Sequence, residues 1–218
     1  TGNATDFGNL TQARLYPSAF SNQTRGICSG GGNPGGVLTM DYVAIASNGD
    51  AVDFGDLTVA GYGSAACESS VRGIVFGGRL NTSTYYDVIQ YVTISTTGNA
   101  QDFGDLSYSG GFAEAMGNST RGLVGGGYSA PAHINIIEFV TIASTGNSQD
   151  FGDLTLARGG LGGVSNSTRA VWGGGVGGAN RNIMDFVTIS STGNAVDFGD
   201  RTVTVESLSG CSNGHGGL

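Results

Sequence analysis

The chain has 218 residues, of which 41 are Gly and only three Pro, and 39 % are hydrophobic. No every-third-residue period runs through the glycines, which excludes a collagen-like rod, and so much glycine argues against a helical bundle, leaving a turn-rich all-β protein. Nine Arg and no Lys stand against 17 acidic residues, a formal charge of −8, so nucleic acid and anionic membrane are not expected partners, and no apolar run approaches the roughly 20 residues that span a bilayer.

The sequence is periodic. Asp-Phe-Gly occurs five times, with Phe at 7, 54, 103, 151 and 198, at spacings of 47, 49, 48 and 47 residues. Thr1 opens in mid-pattern, without Met or a signal-peptide pattern, as expected of a processed chain or a fragment. Residues 1–9 read as a lone outer strand ending on the first Asp-Phe-Gly. The repeat 10–56 then opens with a small-residue strand around Ala19-Phe20. A short apolar strand follows from Arg25 and is closed by Gly30. Next come a β-branched and aromatic strand, Met40–Ile45, a turn at Asn48-Gly49-Asp50, and the strand holding Phe54. The Gly-Asn and Asn-Gly pairs supply the positive φ that tight hairpin loops need.

The same order recurs in 57–105, 106–153 and 154–200. Its second strands begin at Arg72, Arg121 and Arg169, and its third strands are Ile89–Ile94, Ile137–Ile142 and Met184–Ile189. Residues 201–218 supply a first strand around Gly210-Cys211 and the start of a second. Phe20, Cys67, Met116, Val164 and Cys211 share one register and are all apolar, which marks an inward-facing position. Four short strands cannot bury both faces alone and must pack on like neighbours. The expectation is one domain, 1–218, an all-β propeller of four-stranded antiparallel blades. Five blades are expected, the last a composite of 201–218 with 1–9. A larger ring, completed by further sequence or another chain, is the alternative.

The recurring charges have a structural explanation. Arg25, Arg72, Arg121 and Arg169 occur once per repeat, as do Asp6, Asp53, Asp102, Asp150 and Asp197. A ring of inter-blade Arg–Asp contacts is therefore expected, because the planar guanidinium can satisfy a carboxylate bidentately. No metal is expected: Asp-x-x-Asp supplies too few oxygens for calcium, and Cys211 with His215 is half a zinc site. Five copies of Asp-Phe-Gly in a chain without Lys do not make a kinase motif. No nucleophile elbow is present, and the glycine runs open no helix that could cradle phosphate. The six Asn-x-Ser/Thr sequences, at Asn3, Asn9, Asn22, Asn81, Asn118 and Asn166, fit turn chemistry. Three cysteines are too few for a disulfide framework, although Cys28 and Cys211 come close if the ring closes beside the first blade.

Function is expected where the repeats differ, in the loops after the double glycine. There Tyr85, Tyr86, Tyr128, His133, Asn180 and Arg181 offer flat aromatic faces and planar hydrogen-bonding groups suited to sugar rings or a protein epitope.

The double glycine closing the second strand (Gly77-Gly78, Gly173-Gly174), the aromatic in the third (Tyr42, Tyr91, Phe139, Phe186) and the aromatic in the fourth resemble the kelch family of β-propellers. The longer consensus, Arg-Gly-x-x-x-Gly-Gly and then Phe/Tyr-Val-Thr-Ile-x-Ser/Thr-Thr-Gly-Asn-Ala-x-Asp-Phe-Gly-Asp-Leu, resembles repeats of virion structural and tail-fibre-like proteins of marine and cyanobacterial phages. The resemblance implies an extracellular, virion-borne structural or adhesive module, non-enzymatic and without cofactor. Its implied partners are host-surface glycans, other virion proteins or further copies of the chain. The alternatives are a polysaccharide-degrading hydrolase or lyase, which needs a carboxylate pair across a cleft, and a purely architectural spacer.

Overall fold

A computed structural model describes residues 2–212 of the chain. Among them every regular element is a strand, and no helix is long and apolar enough to cross a membrane. In the first repeat β1 (Ser18–Ser21), β2 (Arg25–Ser29), β3 (Val37–Ala44) and β4 (Val52–Gly61) pair antiparallel in that order. The second repeat does the same with β5 (Ala65–Glu68), β6 (Arg72–Phe76), β7 (Val88–Thr93) and β8 (Gln101–Asp105). In the third, β9 (Glu114–Gly117) and β10 (Arg121–Gly125) are followed by a small hairpin, β11 (Tyr128–Ser129) with β12 (Ala132–His133). The sheet is then completed by β13 (Ile136–Thr141) and β14 (Gln149–Asp153). The fourth holds β15 (Gly162–Ser165), β16 (Arg169–Gly173), β17 (Ile183–Thr188) and β18 (Val196–Asp200). The predicted strand order is thus found in each of the four full repeats.

The phenylalanine of Asp-Phe-Gly owes its place to a bulge. Met40 pairs with Gly55 and Asp41 with Asp53, so Phe54 has no partner on β3. The same skip leaves out Phe103, Phe151 and Phe198. A bulge kinks the strand and re-aims its side chains. Phe54, Phe103 and Phe151 turn into the core, whereas Phe198 is half exposed. Each ring meets the third-strand aromatic edge-on, at 5.8–6.0 Å between centroids.

Burial is shared between repeats. One cluster joins Phe20, Ile27 and Phe54 to Val75, Val92 and Ile94. A second joins Ile74, Phe76 and Phe103 to Val124 and Ile142, and a third joins Leu123 and Phe151 to Trp172 and Ile189. The first strands touch in succession, β1 on β5, β5 on β9 and β9 on β15. The Phe20 ring and the Cys67 thiol occupy the space that side chains at Gly73 and Gly122 of the following repeat would need. At the outer edge, Gly98 N donates to the Phe54 carbonyl at 2.7 Å, and Gly146 and Gly193 do the same to Phe103 and Phe151.

The arginine ring takes a different form from the one expected. Arg25, Arg72, Arg121 and Arg169 stack over Tyr42, Tyr91, Phe139 and Phe186, 4.6–4.8 Å from the ring centroids. The first three also donate across to the next repeat, but to a carbonyl: Ile94, Ile142 and Ile189, at 3.0–3.2 Å. Asp53, Asp102 and Asp150 are exposed, because the bulge that turns the phenylalanine inward leaves its neighbour facing solvent, and Asp6 and Asp197 are exposed beside Phe7 and Phe198, which are themselves exposed. The buried ion pairs are instead Arg14–Asp41 and Arg158–Asp185, each 2.7 Å long with fully buried side chains.

The composite fifth sheet falls partly on residues 1 and 213–218, His215 included, which lie outside the described residues. Its described parts, 2–9 and 201–212, contain no strand. The former docks on the first sheet, where Gly49 N donates to the Phe7 carbonyl at 2.8 Å. The latter docks on the fourth repeat, where Gly175 N donates to the Val205 carbonyl at 2.9 Å. Cys28, Cys67 and Cys211 are free thiols. Asn22, Asn118 and Asn166 use their side-chain oxygens to cap the turns into β2, β10 and β16, as turn chemistry requires.

Candidate functional site

Two residues before each of the four first strands, and at the equivalent place in the segment after β18, the chain takes a left-handed conformation. Tyr16, Gly63, Phe112, Gly160 and Ser207 occupy equivalent positions, with φ of 51°, 64°, 58°, 62° and 57°. Each bonds to its predecessor. Gly63 N donates to the Tyr16 carbonyl, Phe112 N to Gly63, Gly160 N to Phe112 and Ser207 N to Gly160, at 2.6–3.0 Å. Glycine suits this position, and a side chain there costs about 1–2 kcal/mol. Tyr16, Phe112 and Ser207 bear that cost, and all three line one cavity of about 470 Å³ together with Arg79, Tyr85, Tyr128 and His133.

The cavity is an aromatic cup. Tyr16 meets Phe112 edge-on at 5.7 Å, and Tyr62 stands behind them, 6.5 Å from Tyr16 and 6.4 Å from Phe112. Tyr85 and Tyr128 lie 5.8 Å apart, and His133, paired with Tyr128 across β11–β12, is edge-on to it at 5.3 Å. The Arg79 guanidinium lies 4.5 Å from the Phe112 centroid and 4.7 Å from that of Tyr62, and its Nη1 donates to the Tyr85 hydroxyl at 3.4 Å. Its Nε is buried without a hydrogen-bond partner.

A second cavity, of about 680 Å³, is lined by all four first strands and by residues 208–212. Three acidic residues line it, Asp41, Glu68 and Glu114. Burial pushes Glu68 up to about 7. Burial also pushes Glu114 up to about 8, against a backbone hydrogen bond from Gly163 that pulls it down. Burial, and then the charge of Glu68, raises the Cys67 thiol. Among the described residues no group of three or more His, Cys, Asp or Glu is placed to hold a metal ion.

Of the loop residues expected to bind a ligand, Tyr85, Tyr128 and His133 converge on the cup, and Tyr86, Asn180 and Arg181 do not line it. Tyr86 holds the frame through its backbone, accepting from Gly110 N at 3.0 Å. Asn180 is exposed, and Arg181 turns back on its own loop, donating to the Gly177 carbonyl at 2.9 Å. Sequence reasoning missed Tyr16, Phe112 and Arg79. The available signal was the register: two aromatics stand where the other full repeats carry Gly63 and Gly160. No protein-family model matches the chain, and no curated protein matches its sequence.

Proposed function

We propose that the four sheets are blades of a kelch-like β-propeller, and that the chain is a non-enzymatic recognition module of the virion-surface, extracellular type, binding glycans of a host surface through the aromatic cup. Support for the architecture comes from the first strands, which line one cavity in succession, and from the four like bonds linking the five left-handed residues. The observation that carries the function is the convergence of Tyr85, Tyr128 and His133 with two strained aromatics on one concavity. Side chains held at a conformational cost point to use, since packing alone is served by glycine there, and flat tyrosine faces suit the C–H faces of sugar rings. The test is a glycan array probed with multimerised protein, followed by calorimetry on the hits. Tyr128→Ala is expected to weaken binding at least 10-fold without loss of fold; no binding to any glycan at high multivalency removes the glycan reading.

One observation favours the hydrolase alternative. Glu68 and Glu114 line one cavity with their carboxyls held near neutrality, the range a general acid needs. Release of reducing ends from polysaccharide, lost in Glu114→Gln, would establish it; no release under prolonged incubation leaves the binding module.

A further inference from the structure

Among the described residues Arg79 is the only Arg or Lys lining the aromatic cup. Its flat faces are spent on Phe112 and Tyr62. Its side chain makes one long hydrogen bond, to a neutral hydroxyl. The ion pairs among the described residues are Arg14–Asp41 and Arg158–Asp185, so no carboxylate among those residues is paired with it. Glu206, the acid on the same cavity, is exposed and not paired with it. A cationic ligand is disfavoured, since the Arg79 guanidinium in the same cavity would repel it. A neutral ligand would leave a charge uncompensated in a half-enclosed aromatic site, which is costly.

We infer that the cup takes an acidic saccharide, a hexuronate whose carboxylate meets the edge of Arg79 while its sugar ring lies against Tyr85 and Tyr128; this deepens the glycan reading above and rests on it. A guanidinium stacked on rings leaves its in-plane N–H groups to a ligand, and a carboxylate accepts them in parallel. A hexuronate carries that carboxylate directly on a pyranose, so the charged and the flat contacts are made by one residue of the chain. The cavity, about 470 Å³, falls in the range of small-ligand sites.

The experiment is calorimetric titration of the whole protein with tetrasaccharides of galacturonate, mannuronate and guluronate, with their carboxyl-reduced neutral counterparts, and with tetraglutamate. At least one uronate is expected to bind 10-fold or more tightly than its reduced form, with a preference that shrinks as salt is raised. In Arg79→Gln with an unchanged melting temperature the preference disappears. Equal affinity for uronate and reduced forms, equal affinity for tetraglutamate, or a preference that survives in the folded variant overturns the inference while the glycan reading stands. Silence of every saccharide here and on the array overturns both. Comparing uronate with reduced sugar on the unaltered protein keeps the test sound should Arg79→Gln fail to fold.

Discussion

Asp41, Gln90, Glu138 and Asp185 occupy one position of the repeat, all nearly or fully buried beside the bulge. Each accepts from the backbone N of the residue four after the Phe of the preceding Asp-Phe-Gly: Thr11, Thr58, Ser107 and Thr155. What differs is the second partner residue. Asp41 and Asp185 meet Arg14 and Arg158, whereas the matching positions opposite Gln90 and Glu138 are Gly61 and Gly110. Where an arginine reaches the site an aspartate balances it; where a glycine stands the residue is one carbon longer, the amide of Gln90 in the second repeat and in the third Glu138, which accepts from Ser107 N and Ser148 Oγ. Asp185→Gln alone leaves Arg158 buried and unpaired, a loss of about 3–5 kcal/mol. Adding Arg158→Gly recreates the pairing of the second repeat and is expected to recover at least half of that loss in urea denaturation; a double variant no better than the single one would show that the pair is not the unit of exchange.

The strand-level pattern was legible because it follows from backbone chemistry. β-branched runs, Gly-Asn turns and a fixed period yield four strands per repeat in the order found, and Phe20, Cys67 and Met116 occupy the buried register expected of them, whereas Val164 and Cys211, in the same register, are exposed because no further strand packs over them among the described residues. Long-range side-chain pairings were not legible. Arg14 and Asp41 lie 27 residues apart, and Arg14 precedes the first strand in a segment whose course no periodicity reports. The cup was half legible, through the loop aromatics, and half hidden at a turn position where Tyr16 and Phe112 break a glycine rule. The last residue of Asp-Phe-Gly allows a controlled test of the contact between elements. Gly152 and Gly199 share a positive φ, 144° and 127°, but a Cβ at Gly152 would stand 2.5 Å from the Gly193 carbonyl, and at Gly199 nothing lies within 4 Å. Both alanine variants incur the backbone cost; only Gly152→Ala adds a backbone clash. Its melting temperature is expected to fall at least 5 °C further than that of Gly199→Ala, on the rule of about 2–4 °C per kcal/mol for a domain of this size. Equal shifts would mean that the outer edges of adjacent repeats do not touch.

At the scale of the molecule, the radial arrangement proposed above and a lengthwise stack differ in size: a compact ring of this chain length has a radius of gyration of roughly 17 Å, and a rod is larger. They differ also in what they do to the carboxyls on the first strands. In a ring those strands crowd around one cavity, and burial there pushes Glu114 up from 4.5 to about 8 and Glu68 to about 7. Between pH 4.5 and 8 the folded protein then holds protons that the unfolded chain has released. The unfolded state therefore gains on the folded one as pH rises, and the stability these groups give is full at pH 4 and lost by about pH 8. The loss at Glu114 amounts to roughly 2–4 kcal/mol. Glu114→Gln cannot ionise, and its amide oxygen can still accept from Gly163. It is expected to match the wild type at pH 4.5, to exceed it in urea denaturation at pH 8, and to show a shallower decline between. Parallel pH profiles for the two proteins would place Glu114 in open water, which the crowding of four first strands around a shared cavity does not permit.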